Sequence, residues 1–422
     1  MSRSTRWHGQ KDGNPGVPRV EHVELSERKV RLRFVLVLVF LLIGALAIAF
    51  GVKSLTTAAS GWQEIETNSS AETSVAGDFV LQYDLGASGV SASVEGRRVS
   101  ALYTESAVQA YRAFSARESF DGIGNLHTLN AAAGETVTLE PALYDALELL
   151  ESAGRREHYL APLYEVYANL FSSDVDEHAA AFDPERDADT AEFFSAALAF
   201  VNDPDAVQVA LLGDGRARLS VSPEYRAFAA EWGVENFVDL GWLRNAFAAD
   251  FIADALIAAG FTRGTLSSYD GFYRCLDGSG TAYSCTVLDR EGGTVYPAAR
   301  MEYTGPMALV RLRDYPTVDL DAEHYYEYSD GTIRSCYISA EDGLPKAAVS
   351  DVLAWSPELS CGAVTVELLP LWLAGRWDAA AARALPATSL IWCEGSTIFC
   401  TDPDAALTAL YDADGVRYVR AP

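Results

Sequence analysis

Lysine is almost absent from this sequence. It occurs four times in 422 residues, and Lys346 is the only lysine after Lys53. A mechanism that needs a lysine as a base or as a Schiff-base nucleophile therefore has a single candidate in most of the chain. The formal net charge of −27 also disfavours nucleic-acid binding, because phosphate backbones attract basic surfaces.

The sequence also lacks the short motifs that mark familiar enzymes. It has no phosphate-binding Gly-x-x-x-x-Gly-Lys-Ser/Thr, no His-Glu-x-x-His, no Gly-x-Ser-x-Gly and no Cys-x-x-Cys. Three histidines have acidic or aromatic neighbours but no paired nucleophile, and none is assigned a catalytic role: His158, His178 and His324. These absences exclude known templates rather than activity itself.

One long hydrophobic run, residues 34–52, contains no charged side chain. As a helix it would span roughly 28 Å, close to the hydrocarbon thickness of a bilayer. Basic residues are concentrated before the run and only Lys53 follows it directly, so the sequence predicts an uncleaved, single-pass anchor with a cytoplasmic N-terminus. A cleaved signal peptide is the alternative.

The anchor divides the chain into four predicted segments. We expect a cytoplasmic tail over 1–33, a transmembrane helix over 34–52, a flexible tether rich in Ser, Thr and Ala over 53–77, and an extracytoplasmic domain over 78–422. The protein is therefore expected in the cell membrane, with its main domain outside the cytoplasm.

Helical and strand-like patterns alternate in the main domain. Apolar spacing predicts helices over 99–116, 141–155, 190–202 and 242–260. An Asp-Gly between two apolar runs predicts a β-hairpin over 206–222, and the short run 234–239 is strand-like. This mixture of helices with antiparallel strands favours an α+β fold.

All six cysteines follow the predicted anchor, in a compartment where disulfides persist. Six cysteines allow many connectivities, but two pairs each bracket a Gly-containing turn, which makes local closure the simplest assumption. The remaining two cysteines are then left for each other. The expected disulfides are Cys275–Cys285, Cys393–Cys400 and Cys336–Cys361.

A glycine-punctuated loop over 122–130 carries His127 and leads into a helix. Such a loop could wrap a ligand, and a capped surface loop is the alternative.

Five segments, taken in chain order, carry a resemblance to one family: 122–130, 238–250, 264–271, 336–345 and 360–375. They resemble the motifs of the ApbE family, the FAD:protein FMN transferases. Those motifs read approximately Ser-Glu-Leu-Ser-x-Leu-Asn, Asp-Leu-Gly-Gly-Ile-Ala-Lys-Gly-Tyr-Ala-x-Asp, a Gly-Gly turn, His-Ile-Ile-Asp-Pro-x-Thr-Gly-x-Pro and Ala-Asp-Ala-Leu-x-Thr-Ala-Leu. The resemblance covers roughly residues 78–400.

The resemblance implies an ApbE-like, T-fold-related α+β domain that uses FAD and a magnesium-type cation. The family transfers FMN to a Thr hydroxyl of a partner protein outside the cytoplasm. Trp242 stands within the matching segments, and the positions that match the family are Asn130, Asp239, Leu240, Gly241, Ala248, Asp250, Gly271, Gly343, Pro345 and Thr365. From these we expect cofactor contacts at Asn130, Asp239, Gly241, Trp242, Asp250, Gly271 and Thr365.

The reactive positions of the family are replaced. Cys361 stands where the family has a metal-binding Asp, and Cys336 and Ser339 stand where it has a His and an Asp. Trp242 replaces the second Gly, and Asn245 replaces the Lys. Because a hard divalent cation prefers carboxylate oxygen to sulfur, the resemblance implies that the cation site is lost.

Two details of this resemblance leave alternatives open. A disulfide between Cys336 and Cys361 would close the former pocket, whereas a soft-metal site is the other use for the two sulfurs. Trp242 is either a plug or a stacking face for a flavin ring.

The expected function is that of a catalytically degenerate ApbE-like protein, acting as a flavin- or nucleotide-binding or partner-recognition module. FAD is the candidate cofactor, and magnesium is expected only if the protein is active. One alternative is an active transferase whose metal ligands have moved to Asp270, Asp342 or Glu341. The other is an unrelated cell-surface structural protein, in which segment 238–250 need not face Cys336 and Cys361.

Overall fold

The computed structural model describes residues 60–318, 321, 323–413 and 415–422. The predicted cytoplasmic tail, 1–33, and the predicted transmembrane helix, 34–52, lie outside these residues. Within the described ranges, no helix combines the length and the apolar character needed to span a bilayer.

The α-helices of the described residues are α1 (Ala92–Phe114), α2 (Leu126–Ala131), α3 (Pro141–Ser152), α4 (Ala161–Phe171), α5 (Asp176–Ala180), α6 (Ala188–Val201), α7 (Pro223–Trp232), α8 (Arg244–Ala258), α9 (Cys361–Trp372) and α10 (Ala379–Ala382). Short 3-10 helices cover Ala71–Asp78, Glu157–Tyr159 and Gly241–Leu243.

The strands are β1 (Gly61–Ile65), β2 (Phe79–Leu85), β3 (Thr136–Thr138), β4 (Val207–Gly213), β5 (Arg216–Val221), β6 (Gly264–Ser268), β7 (Phe272–Cys275), β8 (Ala282–Glu291), β9 (Thr294–Thr304), β10 (Met307–Arg313), β11 (Tyr325–Glu327), β12 (Ile333–Ser335), β13 (Asp351–Ser356), β14 (Ser389–Glu394), β15 (Thr397–Cys400), β16 (Ala406–Thr408), β17 (Asp412–Ala413), β18 (Val416–Arg417) and β19 (Val419–Arg420).

A nine-stranded sheet forms the centre of the domain, in the order β1-β2-β6-β7-β10-β13-β14-β15-β19. Its neighbouring strands are antiparallel except for β15 and β19. Two three-stranded sheets accompany it, ordered β16-β9-β8 and β3-β5-β4. Helices combined with antiparallel sheets confirm the predicted α+β class.

The main sheet is covered on both faces. Helix α9 contacts β10 and β13, and α8 contacts β6, β7, α1 and α9. Alternate residues of the same strands, including Leu309 and Trp355, join a hydrophobic cluster with Met301 of the β8–β9 hairpin. Every residue of β13 is buried, as expected for a strand with packing on both sides.

Several local predictions are confirmed. The hairpin over 206–222 forms as β4 and β5, and its turn residues Asp214 and Gly215 have φ values of 54° and 71°. These left-handed angles are the ones that an Asp-Gly turn between twisted strands requires. The predicted helices over 99–116, 141–155 and 190–202 correspond to α1, α3 and α6.

Two predictions about local structure are wrong. Residues 234–239 are not a strand, because the N–H groups of Phe237 and Val238 donate to the side chain of Asn130 instead of to a neighbouring strand. The flexible tether predicted over 53–77 fails from Gly61 onward. There β1 pairs with β2 and a 3-10 helix follows, so the ordered domain begins before residue 78.

The predicted disulfides are also wrong. In the β14–β15 hairpin, Cys393 lies opposite Ile398 rather than opposite Cys400. The two cysteines are therefore not cross-strand neighbours, whereas a disulfide requires Cα atoms about 4.4–6.8 Å apart. Cys275 and Cys285 lie on strands of different sheets. All cysteines fall within the described residues and all are free thiols: Cys275, Cys285, Cys336, Cys361, Cys393 and Cys400.

Candidate functional site

Asn130 holds the segment that leads into the candidate site. Its amide nitrogen donates to the carbonyl oxygens of Leu126 and Val238, at 3.0 and 2.8 Å. Its amide oxygen accepts from the N–H groups of Phe237 and Val238, at 2.9 and 3.0 Å. Because both ends of the amide are used by backbone groups, Asn130 positions residues 237–241 rather than offering a free group to a ligand.

Asp239 and Gly241 form a tight turn directly after that segment. The carboxylate of Asp239 accepts a 3.0 Å hydrogen bond from the Gly241 N–H. Burial raises the pKa of Asp239, and this hydrogen bond opposes the rise. Gly241 has a φ of 53°, and a Cβ there would overlap the ring of Tyr164. The turn therefore requires glycine at this position.

Trp242 is buried, with 7% of its surface exposed. Its ring makes an edge contact with Tyr337, at 4.8 Å between centroids, and Tyr337 makes another with Trp372 at 5.3 Å. Tyr337 belongs to the segment 336–345 that resembles the family's His-Ile-Ile-Asp motif. Trp242 is thus packed inside an aromatic cluster and does not present an exposed face for stacking.

Asn245, in the first turn of α8, bridges two carboxylates. Its amide nitrogen lies 2.8 Å from Asp270 Oδ2 and 3.3 Å from Asp78 Oδ2. Burial raises the pKa of Asp78, and the neighbouring Asp270 adds to the rise. Gly271, which follows Asp270 in the chain, has a φ of 110° and no room for a Cβ beside the carbonyl of Arg311. Two carboxylates therefore surround Asn245, at the position where the family has a lysine.

Asp250 caps the N-terminus of α9. Its Oδ1 accepts from the Cys361 N–H at 2.8 Å and its Oδ2 from the Gly362 N–H at 2.7 Å. Arg274 forms an ion pair with the same carboxylate. Burial raises the pKa of Asp250, and the positive charge of Arg274 opposes the rise. Each oxygen of Asp250 therefore accepts a backbone hydrogen bond, and Oδ1 also accepts from Arg274.

Cys361 and Thr365 are fully buried, and both side chains donate to backbone carbonyls. The thiol of Cys361 donates to the carbonyl of Tyr273 at 3.3 Å, and the hydroxyl of Thr365 donates to the carbonyl of Cys361 at 2.7 Å. Burial raises the pKa of Cys361 well above its usual value, so the sulfur stays protonated. A neutral thiol beside the Arg274 guanidinium does not fit a magnesium-type cation.

The segment around Cys336 and Ser339 is a hydrogen-bonded turn. The Cys336 N–H donates to the carbonyl of His324, and burial raises the pKa of its thiol. The Ser339 hydroxyl oxygen accepts from the Glu341 N–H, while the Ser339 carbonyl accepts from the Gly343 N–H. These bonds shape the turn, and Cys336 remains a free thiol.

The relocated ligands do not come together. Lys346 lies 2.7 Å from Asp342 and 3.7 Å from Glu341, so both carboxylates serve an ion pair near the surface. Asp270 is instead bonded to Asn245. Over the residues that the structure describes, no three His, Cys, Asp or Glu side chains converge on a common metal position.

His127 lines a cavity of about 400 Å³ together with Ala116, Arg117, Asn130, Ala131, Glu165, Glu235 and Asn236. The amide of Asn236 donates to Glu165 at 2.5 Å, and burial raises the pKa of Glu165. The sequence indicates His127 and Asn130 but not the acidic residues Glu165 and Glu235, which line the same cavity. Glu165 lies on α4 and Glu235 on the loop before Asn236, so only the tertiary structure brings them together.

Other important residues escaped the sequence reasoning because their partners are distant in the chain. Arg274 reaches Asp250 from β7, and Tyr164 packs against Gly241 from α4. Neither residue belongs to a motif. One relationship that the family resemblance requires is present: segment 238–250 contacts the segments that begin at Cys336 and Cys361.

Comparison with known proteins gives matches only among structures. No protein-family model and no curated protein sequence matches the chain. The ApbE protein from Thermotoga maritima is 14% identical, with a TM-score of 0.52, and the match covers 82% of this chain and 96% of that one.

Two further solved structures are similar to the chain. The apo flavinyl transferase ApbE of Pseudomonas stutzeri is 17% identical, with a TM-score of 0.48, covering 75% of this chain and 88% of its own. The flavin transferase ApbE of Vibrio cholerae is 14% identical, with a TM-score of 0.47, covering 78% and 93%. The chain has an ApbE-like fold, as the motif order predicts.

Proposed function

We propose that this chain is a membrane-anchored, extracytoplasmic ApbE-like protein that does not transfer FMN and acts as a partner-recognition module. The uncharged run over 34–52 supports the anchor and the location. The ApbE-like fold supports descent from a flavin-transferase scaffold. The lack of activity rests on the contacts made at the family's reactive positions.

The arrangement around Asp250 is the observation that carries the proposal. Asp250 uses both oxygens on the N-terminus of α9 and on Arg274, and Cys361 presents a neutral thiol. The guanidinium of Arg274 already supplies a positive charge at this place. A second, divalent cation would have to compete with Arg274 and with two backbone N–H groups for the oxygens of Asp250.

The place of the family's lysine is also unsuited to a nucleotide. Asn245 lies between Asp78 and Asp270, whose negative charges would repel a pyrophosphate. Trp242 and Tyr337 fill the adjoining space with packed rings. FAD, bound as the family binds it, therefore does not fit the residues present.

An activity assay tests the proposal directly. The full-length chain is incubated with FAD, Mg²⁺ and a Thr-containing acceptor peptide, beside an active ApbE transferase as positive control. We expect neither AMP release nor a peptide with the added mass of FMN. Formation of either product at a rate above the protein-free blank would overturn the proposal.

An acidic groove is the surface best suited to a protein partner. It has a volume of about 460 Å³, and its lining includes exposed Asp145, Glu148 and Asp254 together with Phe247 and Phe251. Carboxylates beside aromatic side chains complement a basic, amphipathic segment. We therefore assign such a segment of a partner protein as the occupant of the groove.

A peptide titration tests this assignment. A peptide that alternates Arg with Leu should bind the full-length chain, and Glu148→Lys should weaken its binding about fivefold, as expected for one rim charge. Asp404→Lys, which changes an exposed carboxylate outside the groove, should leave the affinity unchanged. Equal affinities of all three proteins would exclude the groove as the docking site.

A further inference from the structure

The carboxylates of Asp78 and Asp270 lie on either side of one amide. Asp78 ends the 3-10 helix before β2, Asp270 lies in the turn between β6 and β7, and Asn245 lies in the first turn of α8. The amide nitrogen of Asn245 is 3.3 Å from Asp78 Oδ2 and 2.8 Å from Asp270 Oδ2. Three separate elements therefore direct oxygen-bearing side chains to one place.

Two oxygens at this place have no hydrogen-bond partner among the residues that the structure describes. They are Oδ1 of Asp270 and Oδ1 of Asn245, and these side chains belong to residues that are only 8% and 3% exposed. Leaving a buried acceptor unpaired is destabilising, and more so when the group is charged. Such unpaired oxygens mark a place where a donor or a cation is missing.

The negative charge at this place is poorly compensated. Arg244 approaches Asp78 only to 3.5 Å, and its side chain is 45% exposed. The nearby Arg313 donates to the Tyr269 carbonyl at 3.0 Å and is held 2.8 Å from the buried carboxylate of Asp321. Asp78 is itself 35% exposed at its side chain, so an ion from solution can reach the group.

We propose that Asp78, Asp270 and Asn245 form a binding site for a divalent cation of the calcium type. The two carboxylates and an amide oxygen are hard ligands of the kind that calcium takes, with water completing the coordination. For binding, the amide of Asn245 turns over about its terminal bond, so that Oδ1 replaces Nδ2 between the carboxylates. The site is separate from the family's cation position at Cys361.

This site would attract a cation, whereas the resemblance implies that the same position in the family attracts an anion. Where the resemblance places a lysine beside a pyrophosphate, this chain offers acid and amide oxygens to a cation. A bound ion would fasten the first turn of α8 to the β6–β7 turn and to the start of β2. The inference goes beyond the proposed function and does not depend on it, because partner recognition needs no metal.

Terbium luminescence tests the site. Tb³⁺ replaces Ca²⁺ at oxygen sites, and its emission can be sensitised by Tyr103, whose hydroxyl donates to the Ala76 carbonyl two residues before Asp78. We expect saturable Tb³⁺ emission from the full-length chain, competed by Ca²⁺, and a Tm that rises by about 2 °C in millimolar Ca²⁺. Asp270→Asn should weaken the apparent affinity about tenfold, because one of two charged ligands is lost.

Two further variants make the test specific. Asn245→Asp adds a third carboxylate, so it should bind the ion more tightly while lowering the Tm in the presence of a chelator. Asp404→Asn removes an exposed carboxylate elsewhere and should behave like the wild type. Ion binding that is absent, or that is unchanged in Asp270→Asn and Asn245→Asp, would overturn the proposal. The Asn245→Asp result decides the matter even if Asp270→Asn fails to fold.

Discussion

Asp250 and Gly362 are joined by a 2.7 Å hydrogen bond that ties the middle of α8 to the start of α9. A Cβ on Gly362 would overlap the ring of Phe247 and lie 3.3 Å from the Asp250 carboxylate. The close approach of the two helices therefore depends on glycine at one position and on a carboxylate at the other. The bond explains why a residue that resembles a cofactor ligand acts here as part of the scaffold.

Replacing Asp250 with Asn should destabilise the protein strongly. An amide can accept only through one oxygen, and its NH₂ group would face the N–H donors of α9 and the Arg274 guanidinium. We expect the free energy of unfolding to fall by about 3 kcal/mol, as for other broken buried ion pairs. Urea denaturation followed by circular dichroism measures this loss.

Asp254→Asn is the matched control for that variant. Asp254 pairs with the same Arg274 at 2.8 Å, but its side chain is 64% exposed. Its loss should change the free energy of unfolding by less than about 1 kcal/mol. Similar losses in both variants would show that the capping of α9 is not the source of the Asp250 effect.

Gly241→Ala should be costly for a steric reason. The added Cβ overlaps the Tyr164 ring and also meets a left-handed backbone with a φ of 53°. Gly233→Ala has a similar φ of 71° but open space around the new Cβ, so it isolates the backbone contribution. We expect Gly233→Ala to lose about 1 kcal/mol and Gly241→Ala at least about 2 kcal/mol more.

Thermal melting of the two glycine variants compares these costs. If both variants melt at the same temperature, Tyr164 has room to move and the turn is less tightly packed than its geometry indicates.

The free cysteines predict a simple labelling result. In urea without reductant, a maleimide should add to all six thiols. In the native protein labelling should be slow, because Cys275, Cys361 and Cys393 are buried and because burial raises the pKa of Cys285 to about 11. Mass spectrometry counts the adducts. Fewer than six in urea would restore one or more of the predicted disulfides.

Asp314 should make stability depend on mildly acidic pH. Burial raises its pKa to about 6, so the folded state binds this proton more tightly than the unfolded state does. Its contribution to stability therefore falls as the pH rises from about 4, the pKa of a free Asp, toward 6. Asp314→Asn should remove that decline.

Denaturation of both proteins at several pH values measures this effect. As the pH rises from about 4 to about 6, the free energy of unfolding of Asp314→Asn should increase relative to that of the wild type. We expect a gain on the order of 1 kcal/mol, because Asp314 is only half-buried. A difference between the two proteins that stays constant with pH would contradict the assignment. Asp351, whose pKa burial also raises to about 6, stays in both proteins, and its charge adds to the raised pKa of Asp314, so the comparison measures the two carboxyls as a coupled pair.

Local patterns determined much of the fold. The Asp214-Gly215 dipeptide determined a hairpin because its residues adopt left-handed angles readily. The apolar spacing of residues 141–155 determined α3, in which Leu143, Leu147 and Leu150 are buried. Mixed periodicities were sufficient for the α+β class, and the order of five weak motifs was sufficient for the ApbE-like fold.

The tertiary structure decided where hydrogen-bond donors and charges meet. The sequence predicts a strand over 234–239, but the side chain of Asn130 accepts hydrogen bonds from the N–H groups of Phe237 and Val238. Those N–H groups are therefore not available to a neighbouring strand. The thiols stay apart because pairing depends on where strands place their Cβ atoms, which spacing does not encode. Asp250 with Arg274, and Asp78 with Asn245 and Asp270, come from separate elements, so only folding defines those contacts.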